Sequence, residues 1–158
     1  MINMKIFIEN PDDLSLVTVE EWKKSPDPTI AQFIILMTNE KDGIRIHKNI
    51  CAGIHEFKEA QAEAAKVLAP NGKAMRNPTR RECLDIYDTR FQGLDEVLEL
   101  IGGDRLDSEW IWTCEENHNH KSGNDYAFMF SCYGGVLANE WKFKNYSIRP
   151  VIDYQYRK

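Results

Sequence analysis

Cys114, His118 and His120 fall in a Cys-x-x-x-His-x-His arrangement, with Glu116 and Asp125 close by in the chain. A thiolate and two imidazoles are zinc-type ligands. A structural zinc site takes four ligands, however, and no Cys-x-x-Cys pair is present to complete one. The expectation is therefore no metal and no cofactor, with Cys114, His118 and His120 as the candidates should a metal bind. Glu115 to His120 is also rich in carboxylate and amide oxygens, yet calcium takes roughly six to eight of them. A cysteine beside a histidine can serve as nucleophile and base. A metal-dependent or cysteine-based enzyme using Cys114, His118 and His120 is thus the alternative function. Against it, Cys114 and Cys132 lie in strand-like surroundings, where a cysteine is usually a small buried core residue.

Recognition chemistry is the stronger theme. The stretch Glu115–Asp125 is long for a connection inside a sheet, and long loops on rigid scaffolds tend to carry binding. It holds His118 and Asn119, and the hairpin and strand that follow add Tyr133, Asn139, Trp141, Asn145 and Tyr146. Tyr, Trp and Asn offer large contact area at modest entropy cost. These seven residues form the expected ligand-binding set, for an unidentified carbohydrate or protein ligand. Arg149, between Ile148 and Pro150, reads as buried, and a buried guanidinium requires a carboxylate partner. Gly102-Gly103-Asp104 follows a helix and lacks the Lys-Ser/Thr of a phosphate loop, so it reads as a helix C-cap.

The elements that must position these groups follow from periodicity. Lys5–Ile8, Leu16–Val19, Ile30–Met37 and Ile44–His47 read as strands separated by turn residues. Phe57, Ala60, Ala64, Val67 and Leu68 recur at helical spacing, and Pro70-Asn71-Gly72 stops that helix. Thr79-Arg80-Arg81-Glu82 is a capping-box pattern opening a second helix. Leu94, Val97, Leu98 and Ile101 form the stripe of a third. Trp110–Cys114, Tyr126–Cys132 and Val136–Phe143 are strands with a Gly134-Gly135 hairpin, and Tyr146–Tyr154 finishes the chain. The predicted fold is α+β: two or three helices on a mainly antiparallel sheet, with an N-terminal β extension. One domain over 1–158 is expected, in which residues 1–55 are β-rich and residues 56–158 carry the helices and the main sheet.

The 158 residues are 42% hydrophobic and 28% charged, typical of a globular chain. A net charge of -5 argues against nucleic-acid partners, which demand a basic face. No export signal or apolar span is visible, so no membrane span and a cytoplasmic or virion-associated location are expected. The four cysteines are widely spaced, and reduced thiols follow from that setting.

From Asn77 to Asp153 the order of signals is Pro78-Thr79, Glu82, Tyr87, Ile101-Gly102-Gly103, Trp112-Thr113-Cys114-Glu115-Glu116, Asn145-Tyr146 and Arg149-Pro150-Val151. This succession resembles the bacterial DUF1566 group, also called the Lcl C-terminal type. The group's strand serines are replaced here by Thr113, Cys114 and Glu115. The Glu20-Glu21-Trp22 segment resembles phage- and mobile-element-associated Bacteroides proteins that carry such a domain. The resemblance implies a C-type-lectin-like, formylglycine-generating-enzyme-like fold. It implies non-enzymatic binding or display, an ion pair between Glu116 and Arg149, and a ligand site on the Glu115–Asp125 loop and the final strands.

Overall fold

The computed structural model describes residues 4–107, 109–118 and 123–156. Among them the chain is α+β, with two antiparallel sheets and four α-helices. The first sheet opens with β1 (Lys5–Glu9) and β2 (Leu16–Thr18). Thr18 ends β2 and caps a one-turn helix, α1 (Val19–Trp22), accepting from the Glu21 amide at 3.2 Å. Trp22 is buried and its indole N–H donates to the Pro28 carbonyl at 2.7 Å. β3 (Phe33–Met37) and β4 (Asp42–His47) form a hairpin whose turn is held by Asn39 Oδ1, which accepts from the Lys41 and Asp42 amides.

Three further helices follow. α2 (Phe57–Ala65) buries Phe57, Ala60 and Ala64 on one face. α3 (Arg80–Arg90) opens with the expected capping box, Thr79 and Glu82 each satisfying the other's backbone N–H. α4 (Leu94–Leu100) ends as its sequence suggests: Gly102 takes φ +75°, and the Gly103 amide reaches back to the Leu98 carbonyl at 2.8 Å. Lys48 Nζ then donates to the freed Ile101 carbonyl at 3.1 Å, a cation at the negative end of the helix.

The second sheet is β5 (Trp110–Glu116), β6 (Tyr126–Ser131) and β7 (Val136–Trp141), in that order. Its two faces are both covered. Trp112, Ala127 and Met129 meet α2, whereas Ile111 and Phe130 share a core with Cys83 and Ile86 of α3. That core continues through α4 onto Ile8, Ile34, Leu36, Ile44 and Ile46 of the first sheet. Alternation along each strand thus splits neighbouring residues between two apolar clusters.

The last strand, β8 (Val151–Gln155), does not extend the second sheet as expected. It pairs with β4, giving a five-stranded first sheet of order β2-β1-β3-β4-β8. The N-terminal strands are therefore the larger sheet of the molecule and not an extension of another. The edge position of β8 beside β4 is set by apolar Val151, which turns into the shared core opposite Ile46. The segment between the sheets, Tyr146 to Pro150, exchanges backbone bonds with His55, Cys51 and His47 on one side. On the other it bonds Trp110 and Trp112 through Ser147.

Candidate ligand-binding groove

Arg149 lies in the middle of that crossing segment and is fully buried. A guanidinium out of water needs its N–H groups satisfied. Nη1 donates to the His47 and Lys48 carbonyls at 3.2 and 2.7 Å. Nη2 donates to the Asp104 and Arg105 carbonyls at 2.8 and 3.4 Å and to Glu109 Oε1 at 3.1 Å. One side chain thus ties the end of β4, the segment after α4 and the approach to β5 into one wall. Gly103 permits the closest of these approaches: a Cβ there would meet the Lys48 carbonyl oxygen at 2.4 Å. Burial of Arg149 agrees with its flanking residues, but its partner is Glu109 and not Glu116. Glu116 sits beyond the bulge at the far end of β5, where it pairs with Lys142, which holds its carboxyl below the usual range.

Above Arg149 lies a groove of about 680 Å³. Ile50 and Ile54 line one side, Asp104, Arg105 and Asp107 another, and Glu109, Trp110, Asn145 and Tyr146 the rest. Trp110 points to the same side of β5 as Trp112, but the two have different surroundings. Trp112 is sealed beneath Phe57 of α2 and donates to the His55 carbonyl at 2.8 Å. Trp110 is 51% exposed and lies stacked with Tyr146, centroids 6.2 Å apart and planes 17° apart. The Tyr146 hydroxyl donates to Glu140 at 2.7 Å, and burial together with this bond holds its pKa up. Glu109 is pushed up to about 7, first by burial and further by Asp104, against the opposing pull of Arg149.

The expected binding residues do not converge. Asn145 and Tyr146 line the groove. Tyr133 stands 78% exposed at the β6–β7 turn, beside Ser131 and Val136, whereas Trp141 pairs with Tyr126 at the opposite end of the same hairpin. Six-residue strands separate those ends by roughly 17 Å. Trp141 packs edge-on against Phe143 at 5.3 Å. Asn139 accepts from Asn117, and His118 faces Asn124 at 3.3 Å and Glu116 at 3.6 Å. Asn119 and His120 lie outside the described residues.

Cys114 lines a second hollow of about 580 Å³ with Phe57, Gln61, Glu116 and Lys142. Burial raises its thiol pKa, which opposes the thiolate that a nucleophile or metal ligand requires. Among the described residues no three His, Cys, Asp or Glu side chains are grouped to hold a metal ion, and no helix is long and apolar enough to cross a membrane. All four cysteines are free.

Sequence reasoning missed Glu109, Asp104, Arg105 and Asp107 as site residues, and placed Trp110 only at the start of a strand. The one available signal was the demand of buried Arg149 for an acid, which does not say which acid. No protein-family model matches the chain, and no curated protein matches its sequence.

Proposed function

We propose that the protein is a non-enzymatic binding module whose groove between Trp110 and Glu109 receives a sugar. The observation that carries this reading is the half-exposed Trp110 plate, stacked with Tyr146 beside Asn145 and a row of carboxylates. Sugars present apolar C–H faces that stack on aromatic rings and hydroxyls that pair with amides and carboxylates. The plate is also held firmly: Tyr146 is fixed by Glu140 and by edge contact with Trp112 at 5.1 Å, so little order must be gained on binding. The resemblance of Asn77–Asp153 to a lectin-like group supports the same reading and a C-type-lectin-like fold for the second half.

The test is titration of the protein with a panel of glycans, followed by tryptophan fluorescence. A bound sugar should change the emission of Trp110, and Trp110→Ala should abolish binding while leaving the unfolding midpoint near wild type. Binding that survives Trp110→Ala would move the site away from the groove.

A further inference from the structure

We propose that β7 pairs antiparallel with β7 of a second copy of this chain, so that two three-stranded sheets join into one of six strands. Nothing in this pairing depends on what the groove binds. β7 is an edge of the second sheet. Among the described residues the other sheet edges are short or bonded. β2 has three residues. Val151 of β8 exchanges both backbone bonds with Arg76, and β5 is bonded from outside by Ser147 and Pro78. An open strand edge is a template for a further strand, and natural edges are blunted by lysine, proline, a bulge or shortness. β7 has six residues, an unbroken register with β6, and neither lysine nor proline. Its one charged residue, Glu140, is bonded to Tyr146 of its own chain.

The direction of the open bonds follows from the ladder. The Lys142 amide donates to the Asp125 carbonyl at 2.8 Å, continuing the register in which Trp141 opposes Tyr126. Bonding alternates along an antiparallel pair, so Val136, Ala138 and Glu140 turn their backbone groups to β6, and Leu137, Asn139 and Trp141 turn theirs outward. Trp141 is served locally, its amide by Glu140 Oε1 at 3.3 Å and its carbonyl by the Lys144 amide at 3.0 Å. The open rungs are therefore Leu137 and Asn139, whose outward N–H and C=O groups have no backbone partner among the described residues. A second β7 about a two-fold axis at Ala138 sets Leu137 of each copy opposite Asn139 of the other, and every open group is paired.

The side chains that this register brings together commit the edge to its own copy. Ala138 meets Ala138 at a non-hydrogen-bonded position, where opposed Cα atoms lie about 4.5 Å apart and a small residue fits. Glu140 falls opposite Val136 and Trp141 opposite Gly135, so no like charges face each other. Val136 and Trp141, 55% and 48% exposed, are flanked by the added strand. The neighbouring register, with its axis at Asn139, is poorer. It would set the two Glu140 carboxylates diagonal to one another and would draw on the backbone groups of Trp141 that are already bonded.

Sedimentation of the full chain at roughly 100 µM, a concentration suited to a weak interface, should show a dimer. Asn139→Pro removes one outward donor from each copy and leaves the bonds to β6 in place, so it should weaken the dimer about 10-fold or more. Ala138→Cys brings two thiols to the axis at a spacing that a disulfide spans. Mild oxidation should link Ala138→Cys into a covalent dimer, whereas wild type, with its four native cysteines, should stay unlinked. Asn139→Cys reports the register and should link far less than Ala138→Cys. Should Asn139→Pro fail to fold, the wild-type mass and the two cysteine variants decide. A wild type that stays monomeric at this concentration overturns the proposal and leaves the edge to a strand from another protein. A dimer that folded Asn139→Pro leaves intact overturns it too, as does linking through Asn139→Cys in place of Ala138→Cys.

Discussion

Arg149 donates to Glu109 Oε1 at 3.1 Å across the junction of the two sheets, with the arginine side chain wholly out of water and the glutamate 10% exposed. Four backbone carbonyls share the same guanidinium. The pair joins the segment leading into β8 to the segment leading into β5, and so holds the groove wall in place.

Removal of the arginine should therefore be costly. Breaking a buried pair by deleting one partner costs about 3–5 kcal/mol, and here four carbonyls lose a donor as well. Arg149→Ala should lower the urea midpoint strongly. Arg149→Lys should recover only a fraction of the loss, because an ammonium cannot fan across both carbonyl pairs. A wild-type midpoint for Arg149→Ala would mean that the carbonyls find other donors.

The raised carboxyl of Glu109 gives a definite pH dependence. Its pKa rises from an ordinary 4.5 to about 7 on folding, chiefly through burial. Between those values the folded state binds more protons than the unfolded state, so this group's contribution to stability falls as pH rises through that window. Histidines add their own pH dependence: His47 is lowered by burial and His55 raised by Glu59. The difference between wild type and Glu109→Gln isolates the glutamate. Denaturation across this range should show wild type losing stability relative to Glu109→Gln as pH increases, and parallel curves would contradict the assignment.

The two tryptophans of β5 should behave oppositely. Trp112 is fully buried against Phe57 and Tyr146, and Trp112→Ala should cost about 3–5 kcal/mol. Trp110 is half exposed, and Trp110→Ala should change stability by less than about 1 kcal/mol. Chemical denaturation of the two variants side by side checks this.

Thiol reactivity should follow burial. Burial raises Cys83 far above its usual range and pushes Cys132 up to about 12. Cys51 and Cys114 are half-buried and raised less. Iodoacetamide on the native protein should modify Cys51 and Cys114 slowly and leave Cys83 and Cys132 intact, as read by mass spectrometry. In denaturant all four should react, and early modification of Cys83 would contradict its place in the core.

What the amino-acid sequence determined by itself is local. The capping box at Thr79 and Glu82, the glycine closure of α4 and the Gly134-Gly135 hairpin each rest on bonds within a few residues, and the strands show in local alternation and residue type, so spacing and residue type suffice to read them. Arg149 could be read as buried from its apolar flanks, and as needing an acid from the cost of an unpaired charge. Only the tertiary structure decided which acid answers it. Glu116 and Glu109 both border β5, and the bulge and the path of the chain through Gly103 bring one to the guanidinium while Lys142 takes the other. The same holds for β8, whose alternation suits either sheet and whose place beside β4 is fixed by contacts about a hundred residues apart in the chain. The groove is likewise lined from three separate segments, 50–54, 99–110 and 145–147, and no periodicity along the chain encodes their meeting.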